Sequence, residues 1–279
     1  MYDISVVIPT YGRDKELKAL LESLQQQDYD RQKIQVIIVD QNDKLDLAPM
    51  INSFKNDLSL IHEKVTVKGI AYSKNIGIRL SEADVITFAD DDCLYYPDTI
   101  AAAVKAMREH PDVDIVYGRV YDRTTRKDVM RNWKKVPAKL NKWNYHLNYS
   151  AITCFTRLKD LYFNEGFGVG SKYGTGEELD YVMQALEQGR NIYFLPDIDI
   201  WHPEPGVRVM SPEKTYYYAL GQGAIYRKNF SVPFMLFFMA SCSFQCASAV
   251  VERLKGNGQI AHNRWLSFKG RVNGFFTYK

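Results

Sequence analysis

The sequence predicts an α/β fold, a sheet flanked by helices with a helical extension at its C-terminal end, and three observations predict it. Over the first 120 residues, short β-branched runs alternate with stretches of helical periodicity. One of those runs, Val85-Ile86-Thr87-Phe88-Ala89, passes directly into Asp90-Asp91-Asp92. Strands of open α/β sheets end in this way where their loops hold a ligand. Much later, residues 231–251 form a stretch of twenty-one without a formal charge, which approaches the length of a membrane span.

The elements follow in order. Strand-like runs at 4–8, 34–39, 60–62, 85–89 and 113–117 are separated by helical patterns at 14–27, 47–54, 71–80 and 97–110. Strand and helix repeated in this way predict a parallel sheet covered on both faces. The first strand leads into Pro9-Thr10-Tyr11-Gly12-Arg13 rather than G-x-G-x-x-G, which argues against a dinucleotide dehydrogenase, and no P-loop is present. From 123 to 142 the pattern breaks down into eight Lys or Arg residues interleaved with Trp133 and followed by Trp143 and Tyr145. Such a mixture suits phosphate binding and ring stacking, and equally suits a solvated basic segment. Glycine-rich turns at 163–168 and 174–176 precede Glu177-Glu178 and a helical pattern over 179–187. Strand-like runs at 191–195 and 198–201 then lead to His202-Pro203.

Composition bounds the function without choosing it. A chain of 279 residues, 46% hydrophobic and 25% charged, is long enough for one large α/β domain or two smaller ones. A net charge of +3 gives no argument for nucleic acid. The four cysteines, Cys93, Cys154, Cys242 and Cys246, have neither zinc-ribbon spacing nor the density of a disulfide framework, so a reducing cytoplasm is expected. The first strand begins at Ile4 without the features of a secretory leader.

Three adjacent carboxylates at a strand end repel one another unless a cation sits among them, so Asp90-Asp91-Asp92 predicts a metal site. The competing reading is an acidic turn that caps the helix beginning near Pro97. Glu177 and Glu178 stand at a helix N-terminus, where the macrodipole alone favours negative charge. In 231–251, Ser241, Gln245, Ser248 and Glu252 recur at helical spacing, a narrow polar stripe on an apolar helix flanked by Arg227, Lys228, Arg253 and Lys255. The stripe fits a helix packed on the protein or lying in a membrane interface better than one crossing lipid alone.

Six pieces in one order carry a resemblance: Val6-Val7-Ile8-Pro9-Thr10-Tyr11, Val39-Asp40, Ser73-Lys74-Asn75-Ile76-Gly77, Phe88-Ala89-Asp90-Asp91-Asp92, Gly176-Glu177-Glu178 and His202. Together they span residues 4–203, and in this order they resemble the family 2 glycosyltransferases. The resemblance implies a GT-A fold, a Rossmann-like nucleotide-binding mixed sheet flanked by helices. It implies that Pro9, Thr10, Tyr11 and Arg13, with Lys74, Asn75, Asp90 and Asp91, surround a nucleotide-sugar donor, with Asp40 accepting from the base, most often uracil. Asp92, with His202 as a further contact, would bind Mn²⁺ or Mg²⁺, and Glu178, beside Glu177, would be the base of an inverting displacement. The chain departs from the usual pattern at Gln41, at Lys74 in place of Arg and at Glu178 in place of Asp, the last moving the base outward by about one methylene.

The expected organisation is a catalytic domain over 1–205, its nucleotide half about 1–120 and its acceptor half about 121–205, followed by a helical extension over 206–279. The expected activity is transfer of a sugar, from a UDP-linked donor, to a hydroxyl of a glycan or lipid-linked glycan in bacterial polysaccharide and cell-envelope biosynthesis. The expected location is the cytoplasm, with membrane-surface contact through 231–251. Two rivals stand beside this. A sugar nucleotidyltransferase uses a related sheet and metal but needs a longer, glycine-rich basic loop than Pro9 to Arg13 provides. A catalytically silent nucleotide- or glycan-binding scaffold would keep the sheet and not the chemistry.

Overall fold

The computed structural model describes residues 1–204 and 210–279, so the expected boundary between 205 and 206 lies outside the described residues. Its contacts form two compact units. One comprises Met1–Lys68, Tyr72–Tyr162 and the stretch beginning at Gln184; the other comprises Gly69–Ala71, Phe163–Met183 and the C-terminal helices.

The first unit is built on one sheet. Its strands are β1 (Ile4–Thr10), β2 (Ile34–Asp40), β3 (Ser59–Lys64), β4 (Val85–Phe88), β5 (Leu94–Tyr95), β6 (Ile115–Asp122), β7 (Lys127–Asp128), β8 (Ala138–Lys139), β9 (Cys154–Thr156) and β10 (Ile192–Trp201). The spatial order is β3-β2-β1-β4-β9-β6-β10-β5, with β7 beside β6 and β8 beside β10. Every residue of β1, β2 and β4 is buried, which explains why they appear in the sequence as continuous apolar runs rather than alternating ones. The helices α1 (Lys15–Gln25), α2 (Ala48–Asn52), α3 (Ile70–Leu80) and α4 (Thr99–Glu109) connect them. In α1, Leu17, Leu20, Leu21 and Leu24 supply the buried face at i, i+3, i+4 and i+7, and the Asp14 carboxylate caps the start by accepting from the Lys15 amide.

The sheet is mixed, not wholly parallel. Strands β1 to β4 pair in parallel, but β9 inserts between β4 and β6 antiparallel to both. A three-residue strand is too short to show periodicity, so it is invisible in the sequence. Strand β10 runs unbroken through Pro196, and its register with β6 shifts between Phe194 and Asp199. Proline has no N–H for the ladder, and the interruption makes one strand look like two.

The basic and aromatic segment is partly core. Trp133 is buried, stacks on Phe194 at 6.1 Å and donates its indole N–H to the Val129 carbonyl at 2.9 Å; Tyr145 is buried too, while Trp143 is exposed. Two of the three rings therefore offer no open face for stacking.

In the second unit, α5 (Glu177–Glu187) contributes its first turns, and α6 (Pro212–Lys228), α7 (Val232–Leu254) and α8 (Gly258–Thr277) follow. Ser211 caps α6 by accepting from the Lys214 amide, with Pro212 at the first helical position. Helices α6 and α8 approach unusually closely. A Cβ on Gly274 would overlap the Leu220 carbonyl, and one on Gly223 the Arg271 carbonyl. Small residues four apart on each helix, Ala219 and Gly223 facing Gly270 and Gly274, permit this contact. Phe238 of α7 and Phe275 of α8 stack at 4.2 Å in the small core of α7 and α8.

Candidate functional site

The strand order places β2 on one side of β1 and β4 on the other, so the chain leaves β1 in one direction and returns on its opposite flank. The carboxyl ends of β1 and β4 diverge into separate loops there, the crevice where open α/β sheets bind ligands. Pro9 to Arg13 form one wall and Asp90 to Asp92 the other. Pairing of β5 with β10, with Leu94 opposite Trp201, brings His202 beside the acidic turn.

The acidic turn is held by hydrogen bonds. Buried Thr10 donates its hydroxyl to Asp91 at 2.8 Å, tying the two loops together. The Arg13 guanidinium bridges Asp91 and Asp92, with Nη1 2.7 Å from an oxygen of each. Burial pushes the Asp91 carboxyl above its ordinary range despite Thr10 and Arg13. Burial pushes Asp92 the same way, but the His202 ring and Arg13 outweigh it and hold Asp92 below that range. His202 is half-buried, its Nε2 3.4 Å from Asp92 and its Nδ1 2.7 Å from the Pro203 carbonyl. A carbonyl only accepts, so Nδ1 carries the hydrogen, and in the neutral ring the Nε2 lone pair faces Asp92. Burial disfavours the His202 cation, yet Asp92, the Pro203 carbonyl and Asp90 raise its pKa above the ordinary histidine value. Helix α4 begins at Thr99 after Asp98, so the acidic turn is not its cap.

One ligand atom from each of Asp90, Asp92 and His202 lies within 4.8 Å of the others. Two carboxylate oxygens and an imidazole nitrogen converging at a strand end form a donor set that fits Mg²⁺ or Mn²⁺.

Asp40, at the end of β2, is fully buried. Its Oδ1 accepts from the Asn42 amide and the Asn42 side chain, both at 2.8 Å; its Oδ2 lies 3.0 Å from His62 Nε2 and 3.0 Å from Lys64 Nζ. Burial alone raises its pKa, but Asn42, His62 and Lys64 outweigh that and hold the carboxyl below the ordinary range. The Asn42 side-chain Oδ1 also accepts from the Gly12 amide at 2.6 Å, so the β1 and β2 loops are braced on each other. Tyr11 is about half-exposed, with Lys68 Nζ 4.6 Å from its ring centre and 3.1 Å from its hydroxyl. Lys74 and Asn75 are buried on α3, which lies so close to β1 that a Cβ on Gly77 would overlap the Val7 side chain.

Glu177 and Glu178 belong to the second unit. Gly176, at φ +111°, ends the preceding loop and α5 starts at Glu177. Glu177 is buried, with Gly168 so near that a Cβ there would come within 3.0 Å of the Glu177 carboxylate; Glu178 is only partly buried. One turn on, Asp180 is fully buried and pairs with Lys228 Nζ at 2.5 Å.

The glycosyl transferase family 2 model matches residues 5–173, more than half of the chain. The chain belongs to glycosyl transferase family 2. Among its relatives is the poly(ribitol-phosphate) β-N-acetylglucosaminyltransferase TarS of Staphylococcus aureus, 24% identical over 287 residues, covering 99% of this chain and 46% of TarS. TarS 1–349 solved with UDP superposes with a TM-score of 0.62 at 19% identity, covering 99% of this chain and 90% of that one. The mannosyltransferase PcManGT of Pyrobaculum calidifontis, solved with GDP-Man and Mn²⁺, gives 0.63 at 14% identity, covering 96% and 86%. These likenesses show the GT-A fold: a mixed sheet flanked by helices with helices at the C-terminal end. The chain spans 30% to 46% of the length of the first curated relatives it matches.

Within this family 2 chain, the structure gathers Thr10, Arg13, Asp90, Asp91, Asp92 and His202 into one cluster and centres a second on Asp40. The family match ends before Glu177. Sequence reasoning did not find Asn42, His62 and Lys64 around Asp40, nor the pair of Asp180 and Lys228. Lys64 faces Asp40 because the two are in register across β2 and β3, and His62, two residues earlier, shares that face. Pairing registers of this kind leave no local signal in a single chain.

Proposed function

We propose that this protein is an inverting, metal-assisted glycosyltransferase that uses a UDP-linked sugar and glycosylates a hydroxyl of a glycan or lipid-linked glycan. The observation that carries this reading is the convergence of Asp90, Asp92 and His202 at the crevice between β1 and β4, close in the fold to the braced Asp40. On this reading residues 1–120 bind the nucleotide, 121–205 receive the acceptor, and 206–279 are an accessory helical extension. TarS, crystallised with UDP and with UDP-GlcNAc, supports the choice of a UDP-sugar. PcManGT, crystallised with GDP-Man and Mn²⁺, supports the divalent ion. Free cysteines suit work in a reducing cytoplasm, where the protein would serve cell-envelope polysaccharide synthesis.

The chemistry follows from the side chains. Asp40 accepts from the base, its ring neighbours being Pro9, Thr10 and Tyr11, while Arg13, Lys74, Asn75 and Asp91 complete the donor pocket. Asp90, Asp92 and His202 would hold a divalent ion, whose charge would offset that developing on the nucleoside diphosphate leaving group. Glu178 takes the acceptor proton as the acceptor oxygen bonds to the anomeric carbon from the face opposite the leaving group, which inverts the configuration. Glu177, its buried neighbour, completes the carboxylate pair at the start of α5.

Calorimetry of UDP binding with and without Mn²⁺ tests the donor site. Metal-dependent binding that is lost in Asp92→Ala and retained in Glu178→Gln is expected, with turnover of the latter down about 100-fold or more. Absence of binding by UDP, GDP and other nucleotides to the folded wild-type protein rejects the donor assignment. Binding of nucleotide and metal with no turnover across a broad donor set favours the scaffold reading instead.

A further inference from the structure

Helix α7 is apolar on its outward side as well as on its buried side. Its buried side carries Gln245, which accepts from Arg264 of α8 at 3.3 Å, and Cys242, together with Phe234 and Phe238. Its outward side presents Val232, Leu236, Met239, Phe244, Val250 and Leu254, all exposed and all apolar, at spacings of three to six residues along the helix. A helix on a water-facing surface places its apolar stripe inward. Here Gln245 of the polar stripe recognised in the sequence is buried beside Phe234 and Phe238, and a second apolar face is left toward solvent. Contiguous exposed apolar surface of this kind marks an interaction site.

Charge identifies the occupant. Residues 210–279 hold nine Lys or Arg against two Glu, a net of +7 in a chain whose total is +3, so the residues before Met210 net to −4. Exposed Arg227 stands just before α7, its guanidinium 5.8 Å from the exposed Phe230 ring, and exposed Arg253 and Lys255 stand at its far end. Between α7 and α8 a groove of about 390 Å³ is lined by Ala249, Val250, Leu254 and Ala261, with Arg253 and Trp265 among its polar and aromatic members. Lys269 lies 5.7 Å from the Trp265 ring. Apolar faces edged by cations and Trp or Phe rings suit the boundary between acyl chains and anionic headgroups.

We infer that α7 lies flat in the surface of an anionic membrane, its Leu236 and Phe244 face entering the acyl boundary and Arg227, Arg253 and Lys255 meeting lipid phosphates. A second copy of the chain is disfavoured because two regions each carrying +7 would repel. A crossing helix is disfavoured because α7 is packed against α8, so Arg264 and buried Arg271 would be drawn into hydrocarbon. This inference does not rest on the donor reading.

Sedimentation of the full chain with vesicles of 30% phosphatidylglycerol in phosphatidylcholine, and with phosphatidylcholine alone, tests it. The wild-type protein is expected to pellet with the anionic vesicles, less so as salt rises, and to be released by alkaline carbonate. Leu236→Glu/Phe244→Glu should lower partitioning at least about tenfold, and Arg253→Gln/Lys255→Gln about 25-fold, at roughly fivefold per charge removed. All four positions are exposed, and unchanged thermal melts of both variants verify folding. Three results overturn the inference: folded wild-type protein that ignores both vesicles, carbonate-resistant retention, which means a span, or self-association that the same variants abolish without any vesicle binding.

Discussion

Asp40 shows what a single buried carboxylate demands. Both of its oxygens are fully engaged by Asn42, His62 and Lys64, so a nucleobase that bonds to it must displace one of them. Lys64, half-exposed, is the least costly to move. Because the folded-state carboxyl titrates below its unfolded value, the stability it contributes is fully present above the ordinary carboxylate pKa and is lost as pH falls through the lower folded value. Asp40→Asn should therefore lower stability by about 2 kcal/mol at pH 7, a figure reduced from that of a fully buried pair because Lys64 reaches solvent. The gap between variant and wild type in urea denaturation should narrow as pH falls toward 3, and a gap that widens on acidification contradicts the ion-pair account. The acidic turn is legible because three consecutive carboxylates are chemically conspicuous, whereas Asp40 is marked only by the resemblance to family 2 glycosyltransferases. The sequence was silent on Asn42, His62 and Lys64, whose roles arise only from strand register and loop contact.

Among elements, close approach rather than apolar area sets two of the tightest joints. Replacing Gly77 of α3 by Ala favours the helix by about 1 kcal/mol, but overlap with Val7 costs about 1–3 kcal/mol, so net destabilisation is expected. At Gly274 the obstacle is the Leu220 carbonyl, which no rotamer change removes, and Gly274→Ala should cost about 3 kcal/mol. Urea midpoints of the two variants check both; no loss for Gly274→Ala would mean that α6 and α8 can separate without penalty. Long buried elements such as β1, β2 and α1 were legible because their periodicity is sustained. Strand β9 was not, at three residues, and β10 was divided in error at Pro196, where the chain keeps its direction though the ladder is interrupted. The apolar character of 231–251 was plain, but which of its faces points outward depends on the packing of α8.

For the molecule as a whole, the acidic crevice matters through what it does not require. Arg13 already bridges Asp91 and Asp92, and His202 faces Asp92, so part of the like-charge repulsion is offset before any ion arrives. Treatment with excess EDTA should leave the thermal midpoint of the wild-type protein within about 2 °C, since an ion that only binds reversibly adds stability by mass action and no more. A collapse of the midpoint by ten degrees or more would mean instead that the ion is a structural part of the fold. A chain that folds around its own guanidinium can be made, stored and degraded without regard to the supply of manganese or magnesium. On the proposed reading, scarcity of either would lower the fraction of ion-loaded molecules while leaving the number of intact molecules untouched, and recovery would need only the return of the ion, with no new synthesis.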